Sequence, residues 1–152
     1  MGNTSERFLR ALLVTMLPPQ LEIEVAELRT AYSIDIVEEP SVINIVFRDF
    51  NTSNLYNKPR TNLLLRVPRA YPDAGLDMFW TDPELLLQDN TVPNGASAME
   101  IYPALDSISD FKGKQWRRFS WHPQPGTPRR WDPTIDNLHS YLEFVRRRFA
   151  QR

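Results

Sequence analysis

The sequence predicts an α+β fold in which a four-stranded antiparallel meander packs against helices at the two ends of the chain. Two observations carry this prediction. Four segments rich in strand-forming residues follow one another between residues 32 and 82, with hairpin-length links between several of them. Apolar residues at helical spacing come before and after these segments. Consecutive strands with helices segregated at the ends are typical of an antiparallel sheet covered by helices.

Two short helices are predicted at the start of the chain. The first, near residues 5–16, has Thr4 or Ser5 as its N-cap and is ended by two prolines. The second, near residues 20–30, has acidic residues in its first turn, where they complement the helix dipole. The apolar positions that define the two helices are Phe8, Leu9, Leu12, Leu13 and Met16, then Leu21, Val25 and Leu28.

The four predicted strands cover residues 32–39, 41–50, 61–67 and 76–82. The first alternates apolar and polar residues, and the second is rich in β-branched residues that pack well on a pleated surface. "EEPS" is the predicted turn between them, and the polar segment 51–60 is a predicted loop.

The third and fourth strands are separated by "VPRAYPDAG". A proline cannot donate to a ladder and fixes its own φ, so the chain must leave the sheet after Val67 and re-enter it near Leu76. We expect a rigid corner with the ring of Tyr71 buried beneath it.

A long segment from Pro83 to Pro128 has weak periodicity and is predicted to be irregular, as functional segments of compact domains often are. A final helix is predicted near residues 134–150, with Asp132 as its cap and Pro133 at its first position. Five apolar residues are expected to be its buried face: Ile135, Leu138, Leu142, Val145 and Phe149. At 152 residues the whole chain, 1–152, is predicted to be one domain, with 1–17 as an N-terminal helical extension.

Composition excludes several classes of protein. With 41% hydrophobic and 24% charged residues, the chain has the composition of a folded globular protein. No apolar stretch approaches the roughly 20 residues that span a bilayer, and no signal peptide is recognisable, so we expect a cytoplasmic protein that does not bind membranes. The absence of cysteine excludes disulfides and thiolate metal sites, and two histidines, His122 and His139, do not suggest a zinc site. We therefore predict no metal and no cofactor.

Charge is divided unevenly along the chain. Residues 1–110 hold 8 Lys/Arg and 16 Asp/Glu, a net charge of −8, whereas residues 111–152 hold 10 and 3, a net charge of +7. The C-terminal part therefore offers a basic face to an acidic partner, or else a solvated helix surface covered by arginines. The aromatic and basic run "QWRRFSW" also has the composition of a nucleic-acid surface, but no nucleic-acid motif accompanies it, and we predict no nucleic-acid partner.

Three features, in this order and spacing, resemble ubiquitin-conjugating enzymes and their relatives. They are the third strand followed by "VPRAYP" and then "MFW", the segment "GKQWRRFSWHP", and the helix start "WDPTIDNLHSYLEFV". The bacterial ubiquitin-conjugating-like (UBC-like) family E is the family that the chain resembles over most of residues 19–150. The resemblance implies a UBC-like fold and, as partners, a ThiF-like activating enzyme and a ubiquitin-like protein.

The departures from the family pattern concern the catalytic centre. If Gly113 matches the family glycine, the position of the catalytic cysteine falls at Trp116, with Arg117 beside it, and no thiol occurs anywhere in the chain. The His-Pro-Asn element is also missing, and "YPA" at residues 102–104 is at best a remnant of it. The resemblance and its departures together predict a non-catalytic binding partner or scaffold.

Two alternatives stay open. One is an active conjugating protein that forms an oxyester on Ser120, with His122 as the adjacent base, since residues two apart in a strand share a face. Ser97 is a weaker candidate hydroxyl, and a cysteine replaced at residues 96–98 is a further explanation for the missing thiol. The other is an interaction domain of the RWD type. The residues predicted to bind a partner are Trp116, Arg117, Arg118, Trp121, His122, Arg7 and Arg10.

Overall fold

The computed structural model describes residues 17–120 and 131–152. The helix predicted near residues 5–16, with Arg7 and Arg10, and the segment that holds Trp121 and His122 lie outside the described residues. The described elements, in chain order, are α1 (Pro19–Leu28), β1 (Ile34–Glu38), β2 (Val42–Asn51), β3 (Arg60–Pro68), β4 (Phe79–Thr81), β5 (Met99–Ile101), two 3₁₀ helices (Pro103–Ser107 and Ser109–Phe111), β6 (Gln115–Phe119) and α2 (Leu138–Phe149).

The α+β class and the consecutive antiparallel pairing of the first four strands are confirmed, but the prediction of a four-stranded sheet is wrong. Among the described residues the sheet has six strands in the order β1-β2-β3-β4-β6-β5, and every pair is antiparallel. The two additional strands lie in the segment predicted to be irregular. They were not predicted because β5 has three residues and β6 has five, and an alternating pattern is not recognisable over so few residues.

Both faces of the sheet are covered. One face carries the main core, where Ile45 on β2 and Leu65 on β3 pack with residues of α1 and α2. On the opposite face Val46, Leu64 and Trp80 pack against the two 3₁₀ helices. Because successive strand residues point to opposite faces, strands covered on both sides read as unbroken apolar runs, which explains "LLLRV" in β3.

Helix α1 ends at Leu28, two residues before the predicted limit. Its buried face consists of Leu21, Val25 and Leu28 together with Glu24, a carboxylate on an otherwise apolar stripe. A buried acidic residue needs polar partners, and the partners of Glu24 are described below.

Helix α2 begins four residues later than predicted. Asn137 is its N-cap and forms a capping box with Ser140, whereas Asp132 accepts the backbone N–H of Thr134 in a preceding turn. Four of the five predicted apolar residues are buried, but Ile135 lies in that turn with 62% of its surface exposed, so its predicted burial is wrong. The capping box fixes the start of the helix because it satisfies donors that Asp132 does not reach.

None of the helices in residues 17–120 and 131–152 has the length and apolar character to cross a membrane.

Candidate functional site

The proline corner and the segment that precedes α2 form one structural unit. Tyr71 is buried, as predicted, and its ring lies 5.8 Å from the ring of Trp131, measured between centroids. The indole N–H of Trp131 donates to the carbonyl of Pro72 at 2.7 Å. Trp131 also covers Gly75, where a Cβ atom would lie 2.0 Å from the indole ring. The glycine at this position is therefore required by the close approach of Trp131.

Glu24 connects this corner to both helices. One oxygen of its carboxylate accepts the hydroxyl of Tyr71 and, at 3.1 Å, the backbone N–H of Leu138, the first residue of α2. The other oxygen accepts a hydrogen bond of 3.1 Å from Gln20. A negative charge at the N-terminus of a helix is favourable, because the unsatisfied N–H groups there carry partial positive charge. Burial, and then the hydrogen bond to Glu24, raise the pKa of Tyr71, so its hydroxyl remains a donor to this carboxylate.

The segment expected to hold the active site runs through a tight turn into the interior. Gly113, with φ of 67°, forms the turn, and its N–H donates to Asp106 at 2.8 Å. Trp116, at the predicted cysteine position, lies in β6 with none of its surface exposed and packs edge-on against Phe111 at 5.4 Å. Its indole therefore lies in the interior of the molecule.

Arg117 is also buried and links β6 to the preceding loop. Its guanidinium donates to the carbonyls of Pro83 and Ala96, each at 2.7 Å. Burial, which outweighs the opposing charge of Glu84, lowers the pKa of Arg117. Its contacts give it a role in holding residues 83–96 against the sheet.

Arg118 is half-buried on the opposite face and forms an ion pair of 2.7 Å with Glu100. The same carboxylate accepts the hydroxyl of Tyr102, and burial and then Glu100 raise the pKa of Tyr102. Arg66 lies over the Tyr102 ring at 4.0 Å. Of the predicted partner-binding residues that the structure describes, Arg118 is the one with a substantially exposed side chain.

Ser120 follows β6 and is half-buried, and its backbone N–H donates to the carbonyl of Gly95 at 3.0 Å. Because His122 lies outside the described residues, the predicted pairing of Ser120 with His122 stays a prediction.

Most described cations of the C-terminal part are engaged within the chain. Six make ion pairs or hydrogen bonds: Lys114, Arg117, Arg118, Arg146, Arg148 and Arg152. Among residues 111–120 and 131–152, Lys112 and Arg147 are exposed cations for which no such contact is seen. The described surface of this segment is therefore less basic than its charge count suggests, because Lys114, Arg118 and Arg152 pair with acidic residues outside the segment.

Asp82 joins three strand ends next to the expected active-site segment. It accepts hydrogen bonds from the backbone N–H and the amide of Asn62, each at 3.1 Å, and an ion pair of 2.8 Å from Lys114. Burial alone would raise the pKa of Asp82, but the bonds from Lys114 and Asn62 outweigh burial and hold it below its usual value.

We expect Asp82→Asn to lower the free energy of unfolding by about 1–3 kcal/mol at pH 7, since it removes the charged partner of Lys114. A carboxyl whose folded-state pKa is depressed stabilises the fold above its unfolded pKa of about 4, and that stabilisation is lost as the pH falls through the folded value. The difference between wild type and variant should therefore shrink between about pH 5 and pH 3. Urea unfolding across this range measures it, with the exposed Asp73→Asn as the control. A difference that stays constant with pH would contradict this account of Asp82.

The described residues hold no metal-ligand cluster, and the cleft beside Arg152 is small. No group of three or more His, Asp or Glu residues suited to a metal ion occurs in residues 17–120 and 131–152. A cleft of about 150 Å³ is lined by Asn54, Leu55, Gln88, Asp89 and Arg152. This is smaller than the roughly 300 Å³ at which small-molecule pockets usually begin.

Comparison with known proteins identifies a family. The model of the prokaryotic E2 family E matches residues 25–152, which confirms the resemblance found from the corner and the helix start. No curated protein and no solved structure matches the chain. The family match supports the UBC-like fold, with the sheet extended to six strands as described above.

Proposed function

The chain belongs to the prokaryotic E2 family E, and we propose that it is a non-catalytic binding partner in a ubiquitin-like conjugation pathway. Membership of the family suggests a role in prokaryotic ubiquitin-like conjugation and interaction with activating enzymes and ubiquitin-like proteins. The finer proposal is that this chain holds a ThiF-like activating enzyme and a ubiquitin-like protein together and forms no covalent intermediate itself.

The absence of cysteine carries this proposal. A conjugating enzyme accepts the C-terminus of a ubiquitin-like protein as a thioester, so it needs a thiolate. The 152 residues contain no cysteine, and the position expected to hold it is occupied by Trp116 in the buried part of β6. The proline corner, in contrast, is held by hydrogen bonds of Tyr71, Trp131 and Glu24, which connect the sheet to both helices.

We propose a smaller docking surface than the one that the sequence suggests. Trp116 and Arg117 are interior residues, so we propose Arg118 and the exposed cation Lys112 as the described part of this surface. The cations Arg7 and Arg10, with Trp121 and His122, remain proposed contacts outside the described residues.

We expect the protein to bind a ubiquitin-like protein and a ThiF-like activating enzyme of its own pathway without forming an ester. The purified chain is incubated with both proteins and ATP, and adducts are resolved by denaturing electrophoresis with and without hydroxylamine. No hydroxylamine-sensitive adduct should form, while isothermal titration calorimetry should detect binding to at least one of the two proteins.

The Ser120→Ala variant separates this proposal from the alternative of an oxyester on Ser120. A hydroxylamine-sensitive adduct of the wild type that is lost in Ser120→Ala would establish a serine nucleophile and overturn the proposal. The parallel variant Ser97→Ala tests the weaker candidate hydroxyl, and an adduct lost in that variant instead would place the nucleophile on Ser97 and also overturn the proposal. Absence of both adduct and binding would refute a role with these two partners.

A further inference from the structure

Among the described residues the sheet ends in two outer strands, β1 and β5, and the pairing of β5 shows which of its backbone groups face outward. The N–H of Arg118 donates to the carbonyl of Ala98 at 2.9 Å, so Ala98 directs its backbone groups toward β6. Because this direction alternates along an antiparallel strand, Glu100 also faces β6, whereas Met99 and Ile101 direct their N–H and C=O groups outward. No described strand pairs with that side of β5.

The edge formed by β1 is protected. Arg48 donates its N–H to the carbonyl of Ser33, so Ile34 faces outward, and the side chain of Arg29 donates to the Ile34 carbonyl at 2.9 Å. Glu38, the last residue of β1, forms an ion pair of 2.9 Å with Arg69. Charged side chains of this kind discourage pairing with another chain.

The edge formed by β5 lacks such protection within the described residues. Its two outward-facing residues are apolar and exposed, Met99 at 39% and Ile101 at 54%. Both side chains lie on the same face of the sheet. The one charge on the strand, Glu100, points to the other face, where Arg118 and Tyr102 bind it. An uncharged edge with exposed apolar side chains is a template for strand pairing.

We propose that β5 pairs antiparallel with β5 of a second copy of this chain, about a two-fold axis at Glu100. In this register Met99 lies opposite Ile101 of the partner subunit, and each outward-facing N–H meets an outward-facing C=O. The pairing is self-complementary, as a two-fold interface requires, because each residue pair recurs across the axis. Glu100 would face Glu100 of the partner subunit, and the Arg118 ion pair within each copy removes the like-charge repulsion that would oppose this arrangement.

The result is a continuous sheet across two copies. Since β5 has three residues, the interface is small and the dimer should be weak and dependent on concentration. This inference is independent of whether the protein forms a covalent intermediate.

Sedimentation equilibrium of the full chain over a concentration series tests the proposal. The wild type should show a monomer–dimer equilibrium, and Ile101→Lys should raise the dimer dissociation constant by at least about tenfold. Ile101→Pro is the sharper variant, because it removes an outward-facing donor and leaves the β5–β6 ladder intact. It should have the same effect.

The matched control is Ile135→Lys, the same substitution at an exposed apolar residue in the turn before α2. Circular dichroism confirms that each variant is folded. If the wild type is monomeric at every concentration, the proposal is overturned. This holds even if β5 binds an extended peptide, because the proposal is that β5 pairs with a second copy of the chain. A dimer that both Ile101 variants leave unchanged also overturns the proposal.

Discussion

Replacing Glu24 with alanine is expected to lower the free energy of unfolding by about 3–5 kcal/mol, because it removes the carboxylate that accepts hydrogen bonds from two buried donors. The hydroxyl of Tyr71 and the N–H of Leu138 both donate to this carboxylate, and both would be left buried without a partner. The start of α2 would also lose the negative charge that complements its dipole. Urea unfolding followed by circular dichroism measures the change, provided that the transition remains two-state.

Two further variants separate the role of Glu24 from a general effect of mutating α1. Glu24→Gln keeps an acceptor oxygen but removes the charge, so it should cost less than Glu24→Ala. Glu22→Ala, at an exposed position on the same helix, should change the free energy of unfolding by no more than about 0.5 kcal/mol. If Glu24→Ala is as mild as Glu22→Ala, then Glu24 does not hold the helices and the corner together.

The sequence predicted best the features that depend on neighbouring residues. The corner is an example, since Pro68, Tyr71 and Pro72 lie within five positions and restrict the backbone locally. The pairing of the first four strands was likewise predictable from short links between β-rich segments. The start of α2 was misplaced because two local signals competed, and the capping box of Asn137 prevailed over Asp132 and Pro133.

The structural features that were not predicted from the sequence depend on residues far apart in the chain. Two partners of Glu24, Tyr71 and Leu138, lie 47 and 114 positions away, so no local pattern identifies them. A signal did exist, because Glu24 occupies the apolar stripe of α1 between Leu21 and Val25, where a carboxylate indicates a buried partner. The candidate docking residues stay a prediction, but the burial of two of them was not predicted, for a related reason. Without β6, nothing showed that Trp116 and Arg117 face the interior.

Trp131 and Gly75 illustrate how the corner and the helix start depend on each other. They are 56 positions apart in the printed sequence. The indole occupies the space where a side chain at position 75 would lie, and its N–H is bonded to Pro72 in the same corner. A tryptophan held in this way cannot move aside without losing its hydrogen bond. The corner and the segment before α2 should therefore respond to substitution as one unit.

Gly75→Ala is expected to lower the free energy of unfolding by about 3 kcal/mol, the upper part of the usual range for overpacking. The added Cβ would lie 2.0 Å from two ring atoms of Trp131, and the φ angle of Gly75 lies outside the left-handed region, so the cost is steric. In a Trp131→Ala background the same substitution should cost less than about 0.5 kcal/mol, because the obstructing ring is gone. Urea unfolding of the wild type, the two single variants and the double variant gives the coupling energy, expected at about 2–3 kcal/mol. An equal cost of Gly75→Ala in both backgrounds would show that Trp131 does not close the corner.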